Sequence, residues 1–83
     1  MARIDKTGPD GRSSGEQFFQ LGLNCVGGEA GEVNLVEAHK WFNLAAMRGY
    51  DEAAALRQEI AREMSRQAIA EAQRAARDFL ATH

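Results

Sequence analysis

Two residue types that shape a fold strongly are scarce here: the 83-residue sequence has one cysteine and one proline. The single cysteine, Cys25, cannot form an internal disulfide, and this agrees with a reducing compartment. The one proline, Pro9, lies near the start, and residues 50–82 contain neither glycine nor proline. Residues 50–82 therefore lack the two residue types that disfavour an α-helix most strongly.

An excess of positive charge is also missing, as are long hydrophobic runs. Ten Lys and Arg against 12 Asp and Glu give a net charge of -2, which supplies no overall attraction to a phosphate backbone or an anionic lipid surface. The longest apolar runs span four residues, whereas a helix that crosses a bilayer needs about 20. We therefore expect a cytoplasmic protein that has neither a nucleic-acid partner nor a membrane partner.

Alanine is what the sequence has in quantity. It accounts for 15 of the apolar residues, so the interior has to form where helices approach closely across small side chains. The length fits one domain, and a chain this short buries about 60% of its unfolded surface on folding. We expect residues 1–12 to form a flexible arm, with a turn at Gly8–Gly11, and residues 13–83 to form a single helical domain.

Serine caps and apolar spacing predict a first helix. It begins at Ser13 or Ser14, since each is followed three residues later by a side chain that can complete a capping box. Apolar residues then recur at i, i+3, i+4 and i+7, the spacing of one helical face. These residues are Phe18, Leu21, Gly22 and Cys25. The helix is expected to end at Gly27-Gly28.

A second helix is predicted over residues 35–47, and it should be the central one because apolar residues cover more than half of its circumference. Asn34 can cap its start, and Gly49 can supply the left-handed residue that often follows a helix. A third helix, capped by Asp51, should follow, with an apolar stripe that runs to Met64.

Two interpretations of residues 50–82 are open. The apolar stripe resets near Ser65, which favours two helices with a break at Met64–Arg66. Spacing by fours through positions 60, 64, 68, 72 and 76 would instead give one long helix with a slowly drifting stripe. In the first interpretation, an amphipathic C-terminal helix covers the open side of the second and third helices. Its apolar residues are Ile69, Ala72, Ala76, Phe79 and Leu80.

Specific residues stand at fixed distances across the first two predicted helices. They are Phe19-x-Leu21-Gly22 and then Glu37-Ala38-x-Lys40-Trp41-Phe42-x-x-Ala45-Ala46-x-x-Gly49. This pattern, over about residues 17–49, resembles a Sel1-like repeat, a relative of the tetratricopeptide repeat. The resemblance implies an all-α fold of about four helices, with one helix-turn-helix repeat, a partial second repeat and a C-terminal capping helix.

The resemblance also implies a function, because Sel1-like proteins are typically scaffolds and adaptors for protein complexes, often in bacteria. In the family, a concave surface lined mainly by the first helix of each repeat receives a segment of the partner. Carried over to this sequence, that surface gives four candidate partner-binding residues: Gln17, Gln20, Asn24 and Arg57. The alternative is a structural protein that self-associates as a homodimer, since an incomplete solenoid leaves apolar surface to cover.

No catalytic, cofactor or metal site is predicted. Cys25 and His39 could pair as nucleophile and base, but no orienting acid or oxyanion site accompanies them. We expect Cys25 to fill a core position and His39 to lie at the edge of the second helix. These residues and His83 lack zinc-ligand spacing, and the glycines form no phosphate-binding loop. The chain is therefore predicted not to be an enzyme.

Overall fold

Four α-helices make up the protein in the residues that its computed structural model describes, 13–27 and 33–82. They are α1 (Ser14–Gly27), α2 (Leu35–Met47), α3 (Asp51–Ala61) and α4 (Arg66–Thr82). These residues contain no β-strand, so the predicted all-α fold of about four helices is confirmed. The predicted arm at 1–12 and its turn, the glycines of the first loop at 28–31, and His83 lie outside the described residues. None of the described helices has the length and apolar character that spanning a membrane requires.

Side-chain caps begin three of the four helices. The side-chain oxygens of Ser13, Asn34 and Ser65 each accept a hydrogen bond from the backbone N–H three residues later, at 3.0–3.1 Å. The predicted cap at Asp51 is wrong, because α3 begins at Asp51 itself and Tyr50 precedes it without a side-chain hydrogen bond. The Asp51 carboxylate instead lies in the first turn, where the helix dipole favours negative charge.

The end of α2 follows from Gly49, as predicted. This glycine has φ of 89°, the left-handed conformation that other residues rarely adopt. Its N–H donates to the carbonyl of Ala46 at 3.0 Å, and the N–H of Tyr50 donates to that of Ala45 at 3.0 Å. This pair of bonds is a Schellman motif, which satisfies the last carbonyls of α2 and turns the chain toward α3.

The helix is interrupted between α3 and α4, so the interpretation with two helices is confirmed. Here α3 ends at Ala61, three residues before Met64, and two tight turns follow. In those turns the N–H groups of Glu63 and Met64 donate to carbonyls three residues back, at 3.0 and 3.1 Å. The Ser65 cap then restarts the helix as α4.

The core lies on α2, which packs against each of the other three helices. Its residues Ala38, Phe42, Leu44 and Ala45 are at most 1% exposed. One buried cluster joins α1, α2 and α3, and consists of Phe19, Ala38, Phe42, Ala45 and Ala53. Three of these five are alanines, so the helices do approach across small side chains, as the composition predicts.

Helix α1 approaches Phe42 of this cluster closely at Gly22. A Cβ atom at this position would lie 2.5 Å from Cε1 of Phe42, so only hydrogen fits. The buried residues of α1 are Gly15, Phe19 and Gly22. Leu21 is 40% exposed, so its predicted position in the core-facing stripe is wrong. The buried face is formed by Gly15, Phe19 and Gly22, so it is rotated around the helix from the predicted stripe, and Leu21 lies outside it.

The C-terminal helix α4 packs on α2, with Ala72 and Ala76 at most 1% exposed. Near its end, the Phe79 ring stands edge-on to Trp41 at 5.4 Å and to Phe18 at 5.7 Å between ring centroids. This helix therefore covers α2 and the Phe18 side of α1, whereas the sequence favoured the open side of α2 and α3.

Candidate partner-binding surface

Three of the four candidate residues form a row on α1. Gln17, Gln20 and Asn24 have the spacing i, i+3 and i+7, which places them on one side of the helix, opposite Phe19 and Gly22. Gln20 is exposed, and the other two are half-buried. The Gln20 Nε2 group donates to Asn24 Oδ1 at 3.4 Å. We call these three residues the amide row; it points away from α2.

An apolar border lies beside the amide row. Leu21 belongs to the same stretch of α1 and is 40% exposed, although it was expected to be in the core. Phe18, one turn earlier, is half-buried and stacks on Trp41 at 5.7 Å between ring centroids. The outer side of α1 thus presents hydrogen-bonding amides next to apolar side chains, a mixture found in many protein interfaces.

Where α1, α2 and α4 meet, three rings form an aromatic cluster: Phe18, Trp41 and Phe79. The ammonium group of Lys40 lies 4.1 Å from the centroid of the Trp41 ring, within cation–π range. The same ammonium group lies 3.1 Å from a carboxylate oxygen of Glu37, which fixes its position further. The cluster thus joins three helices and carries a positive group at its edge.

Arg57, the fourth candidate, has a different environment. Its Nη1 group donates to the side-chain oxygen of Asn43 at 2.6 Å, so a half-buried contact ties α3 to α2. The amide row points away from α2, whereas Arg57 bonds to α2. The candidate residues therefore form two groups in the structure, the amide row on α1 and Arg57 between α3 and α2.

Cys25 has the properties of a partly buried core residue. It is half-buried and packs against the central cluster, as expected. Burial raises the pKa of its thiol, and the nearby Glu37 carboxylate raises it further, while Lys40 acts in the opposite direction. A raised pKa keeps the thiol protonated, which is the reverse of what a nucleophilic cysteine requires.

His39 is buried, and its expected place at the edge of the helix is wrong. The residue is only 3% exposed, and Nδ1 of its ring has no hydrogen bond of normal geometry to any residue that the structure describes. Burial lowers its pKa, and the positive charge of Arg57 lowers it further; its own backbone acts the other way with the smallest effect. This imidazole is therefore neutral near pH 7.

These two environments bear on the chemistry that the pair could perform. The charges that act on Cys25 are those of Glu37 and Lys40, whereas the charge that acts on His39 is that of Arg57 on α3. The raised pKa of the thiol and the lowered pKa of the imidazole are both opposite to what a nucleophile and its base require. Within ranges 13–27 and 33–82, no group of three His, Cys, Asp or Glu side chains could hold a metal ion.

Two features of this region were not predicted from the sequence. The Asn43–Arg57 hydrogen bond has a weak signal, namely a polar residue within a helix that is apolar around more than half of its circumference. The contact of Phe79 with Phe18 and Trp41 has no signal in the sequence, because residues so far apart along the chain meet only through tertiary packing. Comparison with known proteins adds no further guide, since no protein family, curated protein or solved structure matches this chain.

Proposed function

We propose that this chain is a protein-interaction module that binds a segment of another protein through the outer side of α1. The observation that carries this proposal is the amide row, which is held away from α2 and is bordered by the exposed side chain of Leu21. An apolar side chain beside hydrogen-bonding groups is a combination that protein interfaces use.

The chemistry of the amide row suits a peptide segment. Each amide side chain offers both donors and acceptors, so it can bind either the N–H or the C=O group of a partner's backbone. Gln20 already donates to Asn24, and this contact favours an arrangement in which the two amides lie side by side. Leu21 then supplies apolar contact beside these hydrogen bonds. An arrangement that is favoured before binding lowers the entropic cost of binding.

Arg57 belongs to this proposal in a supporting position. Its Nη1 group is engaged by Asn43, but a guanidinium group has five N–H donors, so further donors can reach a partner. The contact with Asn43 also fixes the distance between α3 and α2. Arg57 is therefore expected to contribute less to binding than the amide row and more to the stability of the helix packing.

The proposed family and location rest on the sequence pattern. We propose a Sel1-like repeat over α1 and α2, with α3 as a partial second repeat, and an adaptor or scaffold function in the bacterial cytoplasm. The close fit of Gly22 against Phe42 and the turn at Gly49 support this proposal, because both give packing reasons for residues of the pattern. We also propose that the chain acts without catalysis or a cofactor, and the raised pKa of Cys25 supports this view.

The test is an affinity purification that compares two triple variants with the natural chain. In the first variant, Gln17, Gln20 and Asn24 are all replaced by alanine. In the matched control, three exposed glutamines on α3 and α4 are replaced by alanine: Gln58, Gln67 and Gln73. Alanine is the strongest helix former, so both variants are expected to fold, which circular dichroism can verify.

We expect the amide-row variant to lose a captured protein that the control variant retains. The purified partner should then bind the control with unchanged affinity and bind the amide-row variant at least about tenfold more weakly, which corresponds to about 1.4 kcal/mol. If both triple variants retain the same proteins at the same affinity, the outer side of α1 is not the binding surface.

A second candidate function, self-association without another partner, is favoured by one specific observation. Four large apolar side chains are exposed on the described residues: Leu21 at 40%, Val33 at 60%, Met47 at 58% and Leu80 at 36%. A homodimer would cover some of this surface. Sedimentation equilibrium over a range of concentrations distinguishes the two functions, because a stable dimer with no captured protein supports self-association and a monomer argues against it.

A further inference from the structure

His39 is buried on α2, one helical turn before the residue that bonds to Arg57 of α3, and we propose that this histidine is an acid-sensitive latch between the two helices. Protonation of His39 would release α3 from α2, while the contacts of α2 with α1 and α4 persist. The inference does not depend on the proposed partner, because it concerns the packing of the chain on itself.

The first observation behind this proposal is the buried imidazole of His39. His39 is 97% buried, and Nδ1 of its ring lacks a hydrogen-bond partner among the residues the structure describes. A neutral imidazole tolerates this because one ring nitrogen can act as an unpaired acceptor at modest cost. A protonated imidazole carries N–H donors on both nitrogens and a positive charge, and the cost of burying that charge outweighs the smaller favourable effect of the residue's own backbone.

A second positive group makes the protonated state worse. The guanidinium of Arg57 on α3 is held toward α2 by its 2.6 Å hydrogen bond to Asn43, which lies one helical turn after His39. The charge of Arg57 acts on the imidazole and disfavours a second positive charge there. Protonation would thus place two like charges across the interface between α2 and α3.

No carboxylate at this interface offsets that repulsion in the part of the chain that the structure describes. On α2, Glu37 is paired with Lys40 at 3.1 Å. On α1 the titratable groups are Glu16, in the first turn, and the Cys25 thiol. The acidic residues of α3 and α4 are exposed: Asp51, Glu52, Glu59, Glu71 and Asp78. The basic residues of α4, which are Arg66, Arg74 and Arg77, are also exposed.

Release is expected at α3 rather than at the other helices because of the way the helices pack. The extensive contacts of α3 are with α2. By contrast, α1 and α4 are joined to each other and to α2 through the aromatic cluster. Opening of the α2–α3 interface would expose His39 to water, separate it from Arg57 and remove Ala53 from the buried cluster, while the aromatic cluster that joins α1, α2 and α4 keeps its packing.

The direction of the pH effect follows from the lowered pKa. The unfolded or released imidazole has a pKa of 6.5, and the packed one lies below it. Above pH 6.5 both states are neutral and the latch is closed. As the pH falls below 6.5, the released state binds a proton that the packed state does not, so release becomes about tenfold more favourable per pH unit until the packed pKa is reached.

Two measurements by NMR test the latch on the full chain. The first follows the ring resonances of His39 from about pH 8 to about pH 4.5, with a His83→Gln variant to assign the two histidines. The second compares amide hydrogen exchange at about pH 7.5 and about pH 5, after correction for intrinsic rates. We expect His39 to titrate below 6.5, and α3 exchange at the lower pH to rise about tenfold relative to α4.

Two variants identify the group responsible. His39→Gln should remove the acid-induced increase in α3 exchange, whereas His83→Gln should retain it. Arg57→Gln keeps an amide that can reach Asn43 and removes the charge, so it should raise the pKa of His39 and weaken the effect. If His39 titrates at or above 6.5 in the natural chain, the proposal is overturned without any variant. It is also overturned if α3 and α4 respond to acid equally.

Discussion

At the residue scale, Gly22 is the described glycine at which an added Cβ atom would meet its nearest neighbour, the ring of Phe42. The ring of Phe42 is 1% exposed and lies where a Cβ atom of residue 22 would be. Since a well-packed interior cannot absorb even one methyl group without movement, this position sets how closely the two helices approach.

Replacing Gly22 by alanine is therefore expected to destabilise the protein by about 1–3 kcal/mol, although alanine favours helices more than glycine does. Gly27 is the matched control, because a Cβ atom there would have no neighbour within 4 Å among the residues that the structure describes. Gly27→Ala should change stability by less than about 1 kcal/mol, or increase it slightly. Urea denaturation of the two variants measures both effects, and equal effects would show that the contact with Phe42 does not limit the packing.

At this scale, the sequence predicts correctly those features that depend only on residues close together along the chain. The cap at Asn34 and the left-handed turn at Gly49 depend on residues within one helical turn, and both are present as predicted. The burial of His39 and the exposure of Leu21 depend on the rotation of a helix against its neighbours. That rotation is set by tertiary contacts, which a periodic pattern in one helix does not contain.

At the element scale, the boundary between α3 and α4 depends on one serine. The Ser65 side chain accepts the Ala68 N–H at 3.0 Å, and Arg66 is the first residue of α4. The sequence left one helix or two as alternatives because no glycine or proline marks the break. The helix is interrupted here because the Ser65 hydroxyl accepts a hydrogen bond from a backbone N–H that would donate to a backbone carbonyl in a continuous helix.

A proline scan of the start of α4 tests this boundary. Arg66→Pro should keep or raise stability, by up to about 1 kcal/mol, because the first helical position needs no N–H bond and proline suits its φ angle. Ala70→Pro, one turn further along, should cost about 3 kcal/mol or more, because it removes an internal helical bond. Thermal unfolding followed by circular dichroism measures both. A large loss from Arg66→Pro would mean that α3 and α4 form a continuous helix in solution.

At the scale of the whole molecule, the aromatic cluster of Phe18, Trp41 and Phe79 joins three helices. The all-α class and the bounds of α1 and α2 were predictable, because helix starts and ends are local, whereas residues 50–82 left one helix or two as alternatives. The partners of α4 were not predictable, since an apolar stripe in the sequence does not specify the groove between helices that it fills. The candidate surface was predictable as a helical row on α1, but the separation of Arg57 from it was not.

Phe79→Ala should release the end of α4 and destabilise the protein by about 2–3 kcal/mol, less than for a fully buried phenylalanine. The neighbouring Leu80, which is 36% exposed, is the control, and Leu80→Ala should cost less than half as much. Trp41 is the only tryptophan, so its fluorescence reports on the cluster directly. Its emission should shift to longer wavelength in Phe79→Ala alone; an unchanged spectrum would contradict the contact.

The central position of α2 has a consequence for how substitutions combine. The extensive contacts of α3 are with α2, and so are those of α4. A residue changed in α3 and a residue changed in α4 therefore have few neighbours in common. Their effects on the free energy of unfolding should simply add, whereas a change in α2 should couple to either. The sequences of α3 and α4 can therefore vary independently of each other, whereas both helices constrain the sequence of α2.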